Sequence, residues 1–179
     1  MIKNKRFIIM SILVFVILLL GIFYYIFSKN NELSSSENVT EYFLLKSYSV
    51  SAGDIEKYNR NIETENTIEK YEARIKKEYS DYFTEKGMIL SIANRDTEWL
   101  IQAASNYKFT TTVKNITLTI REETTSKRVY DYKLLLVVEL ENKEIIENEY
   151  FGYIEFSLEK NKWLIDRCRI DQDLKSIIN

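Results

Sequence analysis

The chain has 179 residues with 25 basic and 27 acidic side chains, one cysteine, four glycines, no histidine and no proline. Setting aside the three cations Lys3, Lys5 and Arg6 takes the net charge from −2 to −5, and an acidic body is a poor counter-ion for nucleic acid. Without histidine the commonest general base, the Ser-His and Cys-His pairs and most zinc sites are gone.

The glycines, at positions 21, 53, 87 and 152, are too scattered to cradle a phosphate. A lone cysteine forbids an internal disulfide, so the fold must rest on packing. No catalytic, cofactor-binding or metal-ligating set of residues is recognisable, and the expectation is a protein that is not an enzyme and carries no cofactor.

Residues 1–6 are a short basic stub. Phe7 to Phe27 is an uninterrupted run of 21 uncharged, mostly aliphatic and aromatic residues. A helix of that length matches the hydrocarbon thickness of a bilayer. The run is too long for the core of a cleaved signal, and Phe23-Tyr24-Tyr25-Ile26-Phe27-Ser28-Lys29 offers no small-residue pair to cut. The only cysteine is Cys168, so a lipoprotein anchor is excluded. Basic residues lie before the span, while Lys29 is followed by Glu32 and Glu37. The expectation is an uncleaved single-pass anchor in the cell membrane, N-terminus in the cytoplasm and the remainder extracytoplasmic.

Residues 28–36 read as a polar linker containing Ser34-Ser35-Ser36, and residues 37–179 as one domain of ordinary size. Ser34 with Glu37 is a capping-box pattern that predicts a helix to about Ser51, with Val39, Phe43 and Val50, flanked by Tyr42 and Leu45, on its apolar face. Gly53 is expected to end it and Asp54 to cap a short helix holding Ile55, Tyr58 and Ile62. Ile68, Tyr71, Ile75, Tyr79 and Tyr82 follow the spacing of one helical face, a tyrosine stripe that reads as core. Thr84 reads as the cap of a helix through Met88, Ile89 and Ile92 that ends near Asn94. Asp96 or Thr97 opens a last short helix at Trp99.

From Phe109 the apolar period changes from 3.6 to 2. Ile116, Leu118 and Ile120 alternate with polar neighbours, and a turn at Glu123 to Lys127 follows. Tyr132, Leu134, Leu136, Val138 and Leu140 form the inner face of a second strand, whose Leu135 and Val137 predict a covered outer face as well. After a turn at Glu141 to Lys143, a third strand carries Tyr150, Gly152, Ile154, Phe156 and Leu158, with Gly152 expected at a bulge or bend. Glu159 to Lys162 turns into a fourth strand, Trp163 to Ile170. Such short connections imply antiparallel neighbours. The fold class is therefore α+β, helices first and then a meander of about four strands.

Ala52-Gly53-Asp54 after the first helix, Tyr82-Phe83-Thr84-Glu85 opening a later one, and the closing strand Asn161-Lys162-Trp163-Leu164-Ile165-Asp166 resemble the NTF2-like (SnoaL-like, cystatin-like) superfamily over about residues 36–170. The resemblance implies a cone of helices packed into a curved antiparallel sheet, with or without a pocket. In the enzymes of that superfamily acidic, histidine or tyrosine groups line the cone, and no such pair can be matched here. Asp131 and Asp166 fall in strands, out of phase with the apolar face, and read as solvated carboxylates. Cys168, between Arg167 and Arg169, reads as a small strand residue. Trp99, Tyr132, Tyr150, Phe156 and Trp163 are the candidates to line a pocket or to fill the core.

One span followed by such a domain is similar to VirB8-like assembly components of conjugation and secretion machines, and to small anchored domains of Gram-positive envelopes. The leading expectation is thus a non-catalytic, membrane-anchored scaffold that contacts other envelope proteins or itself. The alternatives are a VirB8-like machine subunit and a cone that binds a small apolar molecule. Asn38-Val39-Thr40 and Asn115-Ile116-Thr117 match glycosylation sequons by chance in a bacterium.

Overall fold

The computed structural model describes residues 35–171, together with the isolated positions Leu18 and Gly21. The expected span Phe7–Phe27 and the Ser34 cap lie outside this range. Among the described residues no helix is long and apolar enough to cross a membrane. Five helices come first: α1 Ser36–Tyr48, α2 Ala52–Thr64, α3 Ile68–Tyr79, α4 Glu85–Asn94 and α5 Trp99–Tyr107. Four strands follow: β1 Phe109–Glu123, β2 Lys127–Leu140, β3 Ile145–Glu159 and β4 Lys162–Asp171. The strands form one antiparallel sheet in the order β1-β2-β3-β4. This is the α+β order read from the sequence.

The helix boundaries follow local chemistry. Ser51, not Gly53, divides the first two helices. Its side chain accepts from Asp54 N while the Asp54 carboxylate accepts from Ser51 N, a capping box that draws Gly53 into the first turn of α2. Thr67 and Thr84 cap α3 and α4 by accepting from Lys70 N and Gly87 N. Left-handed residues Arg95 and Lys108 close α4 and α5. Lys160 and Asn161, both at positive φ, make the two-residue turn between β3 and β4.

The helix-bearing face of the sheet is the core. Tyr130, Tyr132, Leu134, Leu136 and Val138 of β2 and Tyr150, Ile154 and Phe156 of β3 are buried there with Phe43, Leu44 and Tyr48 of α1. Burying one such aliphatic or aromatic side chain stabilises the fold by about 1.5–3 kcal/mol. Helix α1 touches both edge strands, β1 and β4, so it crosses the whole sheet; α4 lies against β4 and α5 against β1.

Three expectations need correction. The buried face of α1 is Ser36, Thr40, Phe43, Leu44, Ser47 and Tyr48, while Tyr42 and Leu45 are exposed and Val50 lies beyond the helix. Two of its hydroxyls have a polar reason to be inside, Ser36 bonding to the buried Tyr130 of the sheet and Thr40 donating to the Ser36 carbonyl, which apolar periodicity cannot register. Gly152 is not at a bulge: β2 and β3 pair without interruption from Lys127/Ser157 to Glu139/Ile145. A Cβ at Gly152 would run into the Tyr132 ring and the Arg169 carbonyl, so glycine is there to admit Tyr132. The bulges lie in β1, between Val113 and Asn115 and between Ile120 and Glu122, and beside Glu155/Phe156. Finally, Leu135 and Val137 are only half-buried. Their face carries the ion pairs Lys133–Glu149 at 2.9 Å, Lys114–Glu147 at 2.6 Å and Arg121–Asp131, so aliphatic stems and neighbours shield them in part.

Candidate functional site

The five aromatic candidates divide into two sets. Tyr132, Tyr150 and Phe156 are fully buried on the helix-bearing face, whereas Trp99 and Trp163 are half-buried against the margin of the same core. All five belong to or pack against one hydrophobic core, and three of them make ring contacts there. Tyr48 meets Trp99 edge-on at 5.9 Å and Tyr132 at 6.4 Å, and Tyr130 meets Phe156 at 6.1 Å. Edge-to-face pairs at such spacings are favourable beyond their buried area.

Two pairs of hydroxyls in this core bond to each other, while the Tyr150 hydroxyl is buried without a hydrogen-bond partner among the described residues. The Tyr48 and Tyr132 hydroxyls are 3.0 Å apart, and Tyr132 also donates to the Arg169 carbonyl at 3.4 Å. Burial pushes the Tyr48 phenol well above its ordinary pKa, with Tyr132 adding to the shift. The Ser36 and Tyr130 hydroxyls are 2.8 Å apart. Arg128 donates to Ser36 Oγ at 2.9 Å, lies 4.6 Å over the Trp163 ring and pairs with Glu123 at 2.6 Å. Thr111 donates to the Tyr48 carbonyl at 2.6 Å, joining β1 to the end of α1. Cys168 is buried, and desolvation drives its thiol far up, with Asp96 adding to the shift and Tyr132 opposing it. Such a thiol is inert at neutral pH.

Asp166 is not a solvated carboxylate. It accepts from Thr84 Oγ1 at 2.8 Å and from Ser157, so it ties the cap of α4 to β3 and β4. At that junction a Cβ on Gly87 would collide with the Ile165 carbonyl, which explains a glycine inside a helix. Asp131 does behave as expected, in an exposed pair with Arg121.

Sequence reasoning missed the strongest electrostatic feature. Arg74 of α3 bonds in fork geometry to both oxygens of Glu65 and also to Glu98 at the start of α5, and all three side chains are nearly buried. Burial opposes the Arg74 charge, yet the hydrogen bonds it donates to Glu65 and Glu98 outweigh that and raise the pKa. Tyr71 is pushed up to about 12 by burial, helped by Glu98. The signal available was weak, since each of the three residues reads as part of a solvated helical face.

This ion cluster borders a cavity of about 150 Å³ lined from α1, α2, α3 and the start of α5, among others by Lys46, Lys57, Arg74, Glu78, Thr97 and Glu98. Two of its lysines are held by Glu78: Lys57 pairs with the carboxylate at 3.2 Å and Lys46 donates to the backbone carbonyl at 2.6 Å. That volume is below the range of ordinary ligand pockets and suits a few waters. A wider surface groove of about 510 Å³ lies on the outside of α4, between Thr84, Ile89 and Leu90 and the residues Glu159 and Asp166. None of the five aromatic candidates lines either space. Among the described residues no group of acidic, cysteine or histidine side chains could hold a metal ion.

No model of a known protein family matches the sequence, and no curated protein matches it. Several solved structures are similar in part. An IcmL-like type IV secretion system protein from Legionella pneumophila is 9% identical with a TM-score of 0.47, over 74% of this chain and 86% of that one. A periplasmic fragment of TraM is 12% identical with a TM-score of 0.43, over 77% and 98%. An NTF2-like protein with a cystatin-like fold from Novosphingobium aromaticivorans is 11% identical with a TM-score of 0.38, over 72% and 96%. The chain is an α+β protein in which helices cover one face of a four-stranded antiparallel meander.

Proposed function

We propose that the chain is a non-catalytic scaffold domain of the NTF2-like kind, held at the membrane by Phe7–Phe27 and working outside the cytoplasm by contact with envelope proteins, itself included. One observation carries this reading. The sheet face that would line a pocket in a cone-shaped enzyme is filled by Tyr48, Tyr130, Tyr132, Tyr150 and Phe156, and the Tyr48–Tyr132 and Ser36–Tyr130 hydroxyl pairs satisfy one another. A face filled in this way leaves no room for a substrate. The same filling weighs against a cone that binds a small apolar molecule.

Polar and apolar contacts with partners would then fall on the surface. Exposed large apolar residues are available at Tyr42 and Leu45 of α1, Ile89 of α4, Ile120 of β1 and Phe151 of β3. The machine-subunit version of the reading adds the demand that the chain associate with itself and with channel proteins.

The test is photo-crosslinking of the full chain in its native membrane, followed by mass spectrometry. Reproducible capture of envelope proteins or of a second copy supports the scaffold. Recovery of the monomer alone, with a small molecule retained by the purified chain, overturns it.

A further inference from the structure

The two edges of the sheet are finished differently. At β4, Ile165 N donates to the Tyr82 carbonyl at 2.8 Å and Thr84 N donates to the Ile165 carbonyl at 3.1 Å, so the segment entering α4 covers that edge. At β1, Val50 and Thr111 exchange backbone hydrogen bonds of 3.0 and 2.9 Å at the start of the strand. From Val113 to Glu123 no described strand or bridge pairs with the outer edge.

The β1 bulges at Lys114 and Arg121 bracket a regular stretch, Asn115 to Ile120. Its sequence, Asn-Ile-Thr-Leu-Thr-Ile, has no charge, proline or glycine and is rich in β-branched residues. Proteins usually blunt such an edge, because its free N–H and C=O groups are a template for another strand. Ile116 and Leu118 are half-buried and Ile120 is 49% exposed, a fringe of apolar surface along the open side.

We propose that this edge pairs with the same edge of a second copy of the chain, antiparallel, with Leu118 opposite Leu118 on the two-fold axis. The proposal rests on the scaffold reading and names its partner. In antiparallel strands opposed residues share a face. Centring on Leu118 sets Ile116 against Ile120, Thr117 against Thr119, and Lys114 against Glu122 at both ends. Moving the axis by one or two residues in either direction places Lys114 opposite Leu118 or Ile120, or Glu122 opposite Ile116 or Leu118. Charge and apolar character therefore agree in one register. Within a single copy Lys114 pairs with Glu147 and Glu122 with Lys127, each about half exposed. Such exposed pairs are weak enough to be shared or exchanged.

The experiment uses the full chain in membranes. Leu118→Cys is expected to give a disulfide-linked dimer on mild oxidation, and Glu159→Cys, at the far hairpin, is expected not to. The buried Cys168 keeps the background low. Lys114→Glu or Glu122→Lys alone should weaken self-association about tenfold, since two repulsive contacts replace two attractive ones, and the double swap should restore it. The restoration also shows that the single variants still fold. A chain that self-associates without the Leu118→Cys link overturns the edge, as does a monomer that captures a different envelope protein; both leave the scaffold reading standing. A monomer that captures nothing overturns both.

Discussion

Tyr48 and Tyr132, 84 residues apart in the chain, share a hydrogen bond of 3.0 Å in the middle of the core. The two hydroxyls are not equivalent. Tyr132 keeps the Arg169 carbonyl if Tyr48 is removed, whereas Tyr48 would be left with a buried unsatisfied hydroxyl if Tyr132 were removed. Tyr132→Phe should therefore cost about 2 kcal/mol and Tyr48→Phe about 1 kcal/mol. Denaturant midpoints check this, and the double variant should lose less than the sum of the two.

Gly152→Ala tests the close approach of Tyr132 to β3. The new methyl meets both the tyrosine ring and the Arg169 carbonyl, so relief requires strand β3 or β4 to move. Overpacking of this kind costs about 1–3 kcal/mol. The loss should appear in the thermal midpoint with the far-ultraviolet spectrum unchanged.

Arg74→Met leaves Glu65 and Glu98 nearly buried without their cation. Breaking one side of such a cluster costs about 3–5 kcal/mol. Arg74→Lys should recover only part, because an ammonium cannot reproduce the two parallel bonds to Glu65. By contrast, Lys76→Met, which breaks an exposed pair with Glu72, should change stability by less than about 0.5 kcal/mol.

Asp96 gives a pH signature. Burial raises its pKa from an ordinary 3.8 to about 6, against a hydrogen bond from Asn94 that lowers it. The folded chain thus holds a proton through the window from about 4 to 6 that the unfolded chain has released. Stability from this group is greatest at the acid end and falls as pH rises through the window. Asp96→Asn should accordingly stabilise the protein by about 1–2 kcal/mol at pH 7 and by almost nothing near pH 4. Urea unfolding of the two proteins at both pH values measures the difference.

Period and punctuation carried most of the fold. The strands and their turns stand out because Tyr132, Leu134, Leu136 and Val138, and Tyr150, Ile154 and Phe156, hold one face at period 2 between polar turns, and Thr84 stands at the start of an apolar run as a cap. The first helix was harder to read. Its buried face includes Ser36, Thr40 and Ser47; Ser36 bonds to Tyr130 and Thr40 donates to the Ser36 carbonyl, contacts that no apolar period announces. Gly152 looked like a backbone device, since its use depends on a residue twenty positions away. The Arg74 cluster was hidden for a similar reason: Glu65, Arg74 and Glu98 come from three separate segments, and nothing local distinguishes them from solvated charges. The aromatic candidates were legible as apolar, while only packing separates a filled core from a lined pocket.

The fit of Tyr132 over Gly152 has a further consequence for how the sheet assembles. Strands β2 and β3 are long and apolar on one face, and a slip of two residues would keep every side chain on its proper side. Hydrophobic pattern alone therefore tolerates several alignments. Only the native one sets Tyr132 opposite a residue with no side chain; the neighbouring alignments set it opposite Tyr150 or Ile154. The missing methyl works as a notch and the tyrosine as its key, so a hairpin with a forgiving pattern has one seating in which it closes.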